Sequence, residues 1–221
     1  MGHDIHIDRP DGGTCLAYLA EVPQARAAVI VIQEWWGLNQ QIRSIADRFA
    51  RAGFTALAPD LYHGKQASDA DEASHMMQNL DFPGATHQDL LGAVRYLKQT
   101  AGHVGVMGFC MGGALTIGAA VRLPEVDAAV CFYGVPPTEF ADPAAIKIPF
   151  QGHFANWDEW ITPAVVDQLE QSMKKAGQHP EIFRYDADHA FCNQMRPEVY
   201  QPQAAEAALN RTEAFFKQHL R

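Results

Sequence analysis

The run His103-Val104-Gly105-Val106-Met107-Gly108-Phe109-Cys110-Met111-Gly112-Gly113 constrains this chain more than any other stretch. An apolar strand enters Gly-x-Cys-x-Gly and leaves as an alanine-rich helix. That pattern puts the residue between the glycines on a sharp strand-to-helix turn, presented above a sheet. Bulk at Gly108 or Gly112 would collide with backbone that so tight a turn brings close. The following helix aims its N-terminus at Cys110, which favours a thiolate and a developing oxyanion. Two plainer accounts compete. One is a buried structural cysteine beside an ordinary glycine turn. The other is a phosphate cradle, which lacks both Gly-x-Gly-x-x-Gly and a Gly-Lys-Ser/Thr ending.

Around this turn, strand and helix patterns alternate almost throughout, as in a largely parallel sheet with helices on both faces. Ile5-His6-Ile7 and Leu16–Ala20 read as an N-terminal hairpin about Pro10-Asp11-Gly12-Gly13. Ala27–Ile32 is apolar throughout, as a strand buried on both faces must be. Ile42, Ile45, Phe49 and Ala52 mark a helix stopped by Gly53, and Phe54–Ala58 the next strand. Residues 61–82 turn polar and read as a rim loop with a weak helix. Thr86 is placed to cap a helix carrying Leu90, Val94 and Leu97. Strands follow at Val126–Tyr133, Ile148–Gln151 and Glu181–Tyr185. Helices are expected from the Thr162-Pro163 cap to Gly177 and over Ala204–Leu220. No repeat or linker interrupts residues 1–221, which read as a single α/β domain with a rim insertion at about 61–82.

A net charge of −9 argues against binding a phosphate backbone. No apolar run approaches the roughly 20 residues of a membrane span, and Met1–His6 lacks the basic and apolar regions of a signal peptide. Cys15, Cys110, Cys131 and Cys192 stand singly, so reduced thiols and a cytoplasmic setting are expected. The ten histidines show no ligand spacing for zinc. Neither metal nor cofactor is expected, and no nucleic-acid or membrane partner. The oligomeric expectation is a monomer, with a weak homodimer as the alternative.

A thiol nucleophile needs a base, and the base needs a carboxylate to fix its tautomer. Only His153, His179, His189 and His219 follow Cys110. His189 directly follows the strand Glu181–Tyr185, at the carboxyl end where such sheets keep their sites; the alternative is a surface-loop histidine. For the acid, Asp158 lies between a strand end and the Thr162-Pro163 helix start. Glu159 is its near rival, and Asp186 and Asp188 are more distant ones. An oxyanion hole needs the amide of Met111 and one from the loop after Ala27–Ile32, Gln33 to Asn39. Glu34 is odd there, because a carboxylate at the tip of an apolar strand is costly unless paired or protonated. It is either bonded to nearby amides or turned toward the cysteine.

Gln33-Glu34-x-x-Gly37-x-Asn39, Ala58-Pro59-Asp60-Leu61-Tyr62, the Cys110 turn, Tyr133-Gly134, Gly152…Asp158…Pro163 and His189-Ala190-Phe191-x-Asn193 occur in that order. Together they resemble the dienelactone hydrolase (carboxymethylenebutenolidase) family of the α/β-hydrolase fold, from about Ala27 to the C-terminus. The resemblance implies a Cys110-Asp158-His189 triad. It also implies that Glu34 assists thiolate formation when substrate binds, and that the amides of Trp35 and Met111 hold the oxyanion. The best-known members carry arginines for a substrate carboxylate just after Asp-Leu-Tyr and just past the histidine. Here those regions offer His63-Gly64-Lys65 and Asn193, with Arg196 three residues further on. Trp36, Tyr62, Lys65, Tyr133, Phe191 and Asn193 are the expected substrate contacts. Trp35-Trp36 and Trp157-Trp160 suggest a bulky aromatic pocket, or else simple packing. The expected reaction is cleavage of a small ester or lactone through an acyl-cysteine. The rivals are a thioesterase or general carboxylesterase at the same site, and a non-catalytic ligand-binding or redox-sensing protein.

Overall fold

Strands that are apolar along their whole length occupy the middle of the sheet, and the alternating one lies at its edge. The structure is a computed structural model and describes residues 2–221; Met1, the first residue of the polar N-terminal stretch, lies outside them. The strands are β1 (His3–Asp8), β2 (Thr14–Ala20), β3 (Ala27–Ile32), β4 (Thr55–Pro59), β5 (His103–Phe109), β6 (Ala128–Phe132), β7 (Phe150–Ala155) and β8 (Glu181–Tyr185). They form one sheet in the order β1-β2-β4-β3-β5-β6-β7-β8. β1 pairs β2, and β2 pairs β4, antiparallel; every other pairing is parallel. Such a sheet needs helices on both faces to bury it. Its parallel strands all end at one edge, which is where the site collects.

The helices are α1 (Gln40–Arg51), α2 (Ala70–Gln78), α3 (Phe82–Gly84), α4 (Leu91–Lys98), α5 (Met111–Arg122), α6 (Pro163–Lys175) and α7 (Pro202–His219). α4, α5 and α6 cover one face through residues such as Val94, Leu115 and Leu169. α1 and α7 cover the other through Ile42, Phe49, Leu209 and Phe216. Cys110 packs against both cores, at the point where the chain crosses from β5 into α5.

Three elements differ from the sequence reading. The helix expected to start at Thr86 begins earlier. Asp81 caps α3 by accepting from the Gly84 amide at 3.0 Å, and the Thr86 hydroxyl donates to the Phe82 carbonyl at 2.9 Å. Ala85–Leu90 is a π-helical stretch that joins α3 to α4. The rim helix α2 is well capped: Asp69 accepts from the Glu72 amide at 2.9 Å, and Glu72 accepts from the Ser68 amide at 2.8 Å. β7 runs Phe150–Ala155 rather than Ile148–Gln151, and so carries both Gln151 and His153 inside the sheet. The two satisfy each other, with His153 Nε2 2.8 Å from Gln151 Oε1 and His153 Nδ1 2.8 Å from the Tyr185 hydroxyl. Burial, and then the charge of Arg211, pull His153 down to about 3, so it is a neutral core histidine.

Candidate active site

Cys110 sits at φ 55°, ψ −116°, a left-handed conformation that a cysteine adopts only when its surroundings enforce it. The enforcement is steric. A Cβ at Gly108 would run into the Gly112 carbonyl, and one at Gly112 would lie 2.5 Å from the Gln33 carbonyl oxygen. Only glycines let the strand, the turn and the loop after β3 close up this far. The Cys110 amide donates to the Phe132 carbonyl at 3.0 Å, and its carbonyl accepts from Gly113 and Ala114 as α5 begins. Of the four free cysteines, Cys110 alone is partly exposed; Cys15, Cys131 and Cys192 are buried. Among the described residues, the amides of Trp35 and Met111 have no acceptor.

The loop after β7 brings Asp158 to the loop after β8. Asp158 Oδ2 lies 2.7 Å from His189 Nδ1, while Oδ1 accepts the amides of Trp160 and Ile161, each at 2.8 Å. Burial pushes the Asp158 carboxyl up, but the hydrogen bond and charge of His189 and the two amides outweigh it, leaving the pKa below its ordinary value. For His189, burial acts downward. The bond to Asp158, and then the nearby Cys110 sulfur, overcome it and raise the group from 6.5 to about 10. His189 Nε2 is buried and bonded to nothing within hydrogen-bond distance, although Cys110 is near enough to influence it. The imidazole is clamped between the Trp160 ring, stacked at 5.9 Å, and the Tyr133 ring, edge-on at 5.2 Å. Neither aromatic contact was expected from the sequence.

Glu34 is fully buried. It accepts from the Tyr133 hydroxyl at 3.0 Å and from the Asn193 side-chain amide at 2.7 Å, while lining the same cleft as Cys110. Burial outweighs those two bonds and the charge of His189, so Glu34 titrates above the ordinary carboxylate value.

Two clefts meet at Cys110, His189 and Trp160. One, of about 460 Å³, is lined by Glu34, Trp35, Glu159, Asp188, Arg196 and Glu198 among others. The other, of about 480 Å³, is walled by Met77, Phe82, Met111, Val135, Pro137 and Phe140, with Tyr133 at its base. Trp35 stands edge-on to both Trp36 and Trp160 at 5.4 Å, and Trp36 lies under the Arg196 guanidinium at 5.5 Å.

Five expected substrate contacts, Trp36, Tyr62, Lys65, Phe191 and Asn193, are not among the residues that line these two clefts. Asn193 is turned to Glu34, and Phe191 is buried against Tyr133 and Tyr185. Tyr62 and Lys65 line a different cleft, about 390 Å³, although the Tyr62 hydroxyl lies 3.3 Å from the Met111 sulfur. That cleft adjoins a group able to share an ion: Cys15, His63 and Asp89, whose candidate atoms lie within 4.8 Å of one another. Its charge is already answered, because Arg9 Nε lies 3.5 Å from Asp89 Oδ1. The Cys15 thiol is pushed up to about 12, chiefly by burial, and is bonded to the Leu16 and Asp60 carbonyls. Residues 61–82 thus supply walls to two clefts. The apolar side chains Met77 and Phe82, set in a polar stretch, were the available signal.

Among the described residues no helix is long and apolar enough to cross a membrane. The family model of the dienelactone hydrolases matches residues 15–220. A protein from Aquifex pyrophilus called Protein usf is 36% identical over the whole of both chains. A candidate carboxymethylenebutenolidase from Aquifex aeolicus is 32% identical, again over 100% of each. In three dimensions the chain matches the crystal structure of a candidate dienelactone hydrolase from Klebsiella pneumoniae with a TM-score of 0.86 and 26% identity, covering 99% of this chain and 100% of that one.

Proposed function

This chain belongs to the dienelactone hydrolase family and is a carboxylic ester hydrolase; on that premise we propose that it cleaves a small ester or lactone through an acyl-cysteine formed on Cys110. His189 takes the thiol proton at Nε2 while Asp158 holds Nδ1–H, and the thiolate adds to the carbonyl carbon. The amides of Trp35 and Met111 stabilise the resulting oxyanion. Collapse breaks the carbon–oxygen bond, and the departing alkoxide takes the proton from His189. A water molecule, deprotonated by His189, then adds to the thioester. The second collapse releases the carboxylic acid and returns the proton to Cys110. Glu34, buried in the same cleft, opposes build-up of the thiolate at rest and yields when substrate arrives. The unpaired cysteines suit a reducing compartment such as the cytoplasm.

One observation carries this reading: a histidine with Nδ1 held by a buried carboxylate at 2.7 Å and a free, buried Nε2 beside the one partly exposed cysteine. The test is rapid quench of the enzyme with an aryl ester, followed by peptide mass spectrometry. An acyl group on the Cys110 peptide, absent from Cys110→Ala, is the expected result. An acyl group on another residue, or turnover retained in Cys110→Ala, would overturn the proposal.

A further inference from the structure

The two clefts that meet at Cys110 differ sharply in chemistry. Apart from His189 itself, no titrating side chain other than the buried Tyr133 and Cys110 faces the Met77–Phe140 cleft, and its walls are thioether, aromatic, proline and aliphatic. Besides the shared His189, the other cleft carries four carboxyl groups, Glu34, Glu159, Asp188 and Glu198, against the single cation Arg196. That cation is engaged: its Nε donates to Glu198 at 2.7 Å and its guanidinium lies over Trp36. Lys65, the other lysine of the rim, and His63 line a separate cleft whose walls do not include Cys110. A substrate carboxylate would therefore have to lose its hydration against apolar walls on one side or approach four acids on the other.

We propose that the physiological substrate is an uncharged carboxylic ester whose apolar acyl chain lies in the Met77–Phe140 cleft while its alcohol leaves through the acidic cleft. The inference rests on the acyl-cysteine reading above and adds the substrate class. The direction follows from the products. The leaving alcohol gains a hydroxyl and suits the polar cleft, whereas the acyl group stays bonded to Cys110 through deacylation and gains from an apolar wall. Each methylene buried there strengthens binding in the transition state, by about fourfold in kcat/KM.

The experiment is a series of p-nitrophenyl esters of lengthening straight-chain acids, from acetate upward, with one anionic member. That member is the glutarate half-ester, compared with the branched hydrocarbon ester of the same shape. kcat/KM should climb by about fourfold per methylene until the cleft is full. The glutarate should fall at least about tenfold below its hydrocarbon isostere. Val135→Phe, which shortens the cleft, should move the optimum to shorter acids. Met77→Lys, at a partly exposed site on α2, should flatten the series and narrow the glutarate deficit. A flat or falling chain-length series, or glutarate turned over as well as its isostere, overturns the substrate assignment while leaving the acyl-cysteine intact. If no ester is hydrolysed in a Cys110-dependent way, the acyl-cysteine reading falls and the assignment with it.

Discussion

Asp158→Asn is the substitution that most directly probes how the site works. The two Oδ1 contacts, to the amides of Trp160 and Ile161, survive it, because the asparagine carbonyl accepts them equally well. The group that then faces His189 Nδ1 at 2.7 Å is an NH2 donor. Nδ1 must become an acceptor, the ring proton moves to Nε2, and the base can no longer take a proton from Cys110. In the wild type, His189 is raised from 6.5 to about 10. That elevation corresponds to at most about 5 kcal/mol of stabilisation of the imidazolium, shared between Asp158 and the Cys110 sulfur. A tautomer trapped the wrong way costs about 10⁴-fold in turnover, a barrier increase of similar size. Glu159→Gln is the matched control, since Glu159 lines the acidic cleft while Asp158, not Glu159, holds His189 Nδ1. The assay is steady-state hydrolysis of a neutral aryl ester, with circular dichroism to confirm folding. Folded Asp158→Asn within tenfold of wild type, or an equal loss in Glu159→Gln, would refute the reasoning.

Cys110→Ala should lose all measurable ester hydrolysis while melting close to the wild type, because the side chain is only partly buried; a calorimetric scan beside the activity assay checks both halves. Glu34→Gln should react faster with iodoacetamide at neutral pH and hydrolyse its ester more slowly. It should melt close to the wild type, because the glutamine oxygen can accept from Asn193 while its NH2 donates to the Tyr133 hydroxyl; slower alkylation would contradict the role given to Glu34. The stability that His189 contributes is fully present below its unfolded pKa of about 6.5 and is lost as the pH rises through about 10. Asp158, with its folded pKa depressed, contributes above its unfolded value of about 3.8 and loses that contribution as the pH falls through the lower folded value. The melting-temperature gap between wild type and His189→Gln should therefore shrink between neutral pH and about 10; a gap that widens on the alkaline side would count against the Asp158 contact.

The fold and the location of the site were readable because each rests on a local pattern. β3 is Ala27–Ile32 in both readings, since an uninterrupted apolar run has one good home, the middle of a covered sheet. The strained turn at Cys110 announced itself through its glycines. What stayed hidden depends on pairing across the chain. The extension of β7 past Gln151 places His153 in a buried strand, where Gln151 and Tyr185 satisfy its ring. Asn193 looked like a substrate contact, yet its partner, Glu34, lies 159 residues away in sequence. Trp160 as a lid on His189, and the apolar wall from Met77 to Phe140, likewise depend on loops from different strand ends converging.

Glu34 also has a mechanical meaning. Its two oxygens tie together the loop after β3, the end of β6 at Tyr133 and the loop after β8 at Asn193. A single carboxylate thus pins three segments that carry, respectively, Trp35, the ring edge-on to His189, and His189 itself. These segments cannot drift independently while the pin holds, so the spacing between the base and the Trp35 amide is fixed by a side chain that performs neither task. Lineages that loosen the pin would be expected to gain tolerance for awkward substrates and to give up rate, since pre-set geometry and breadth of acceptance draw on the same freedom of the loops.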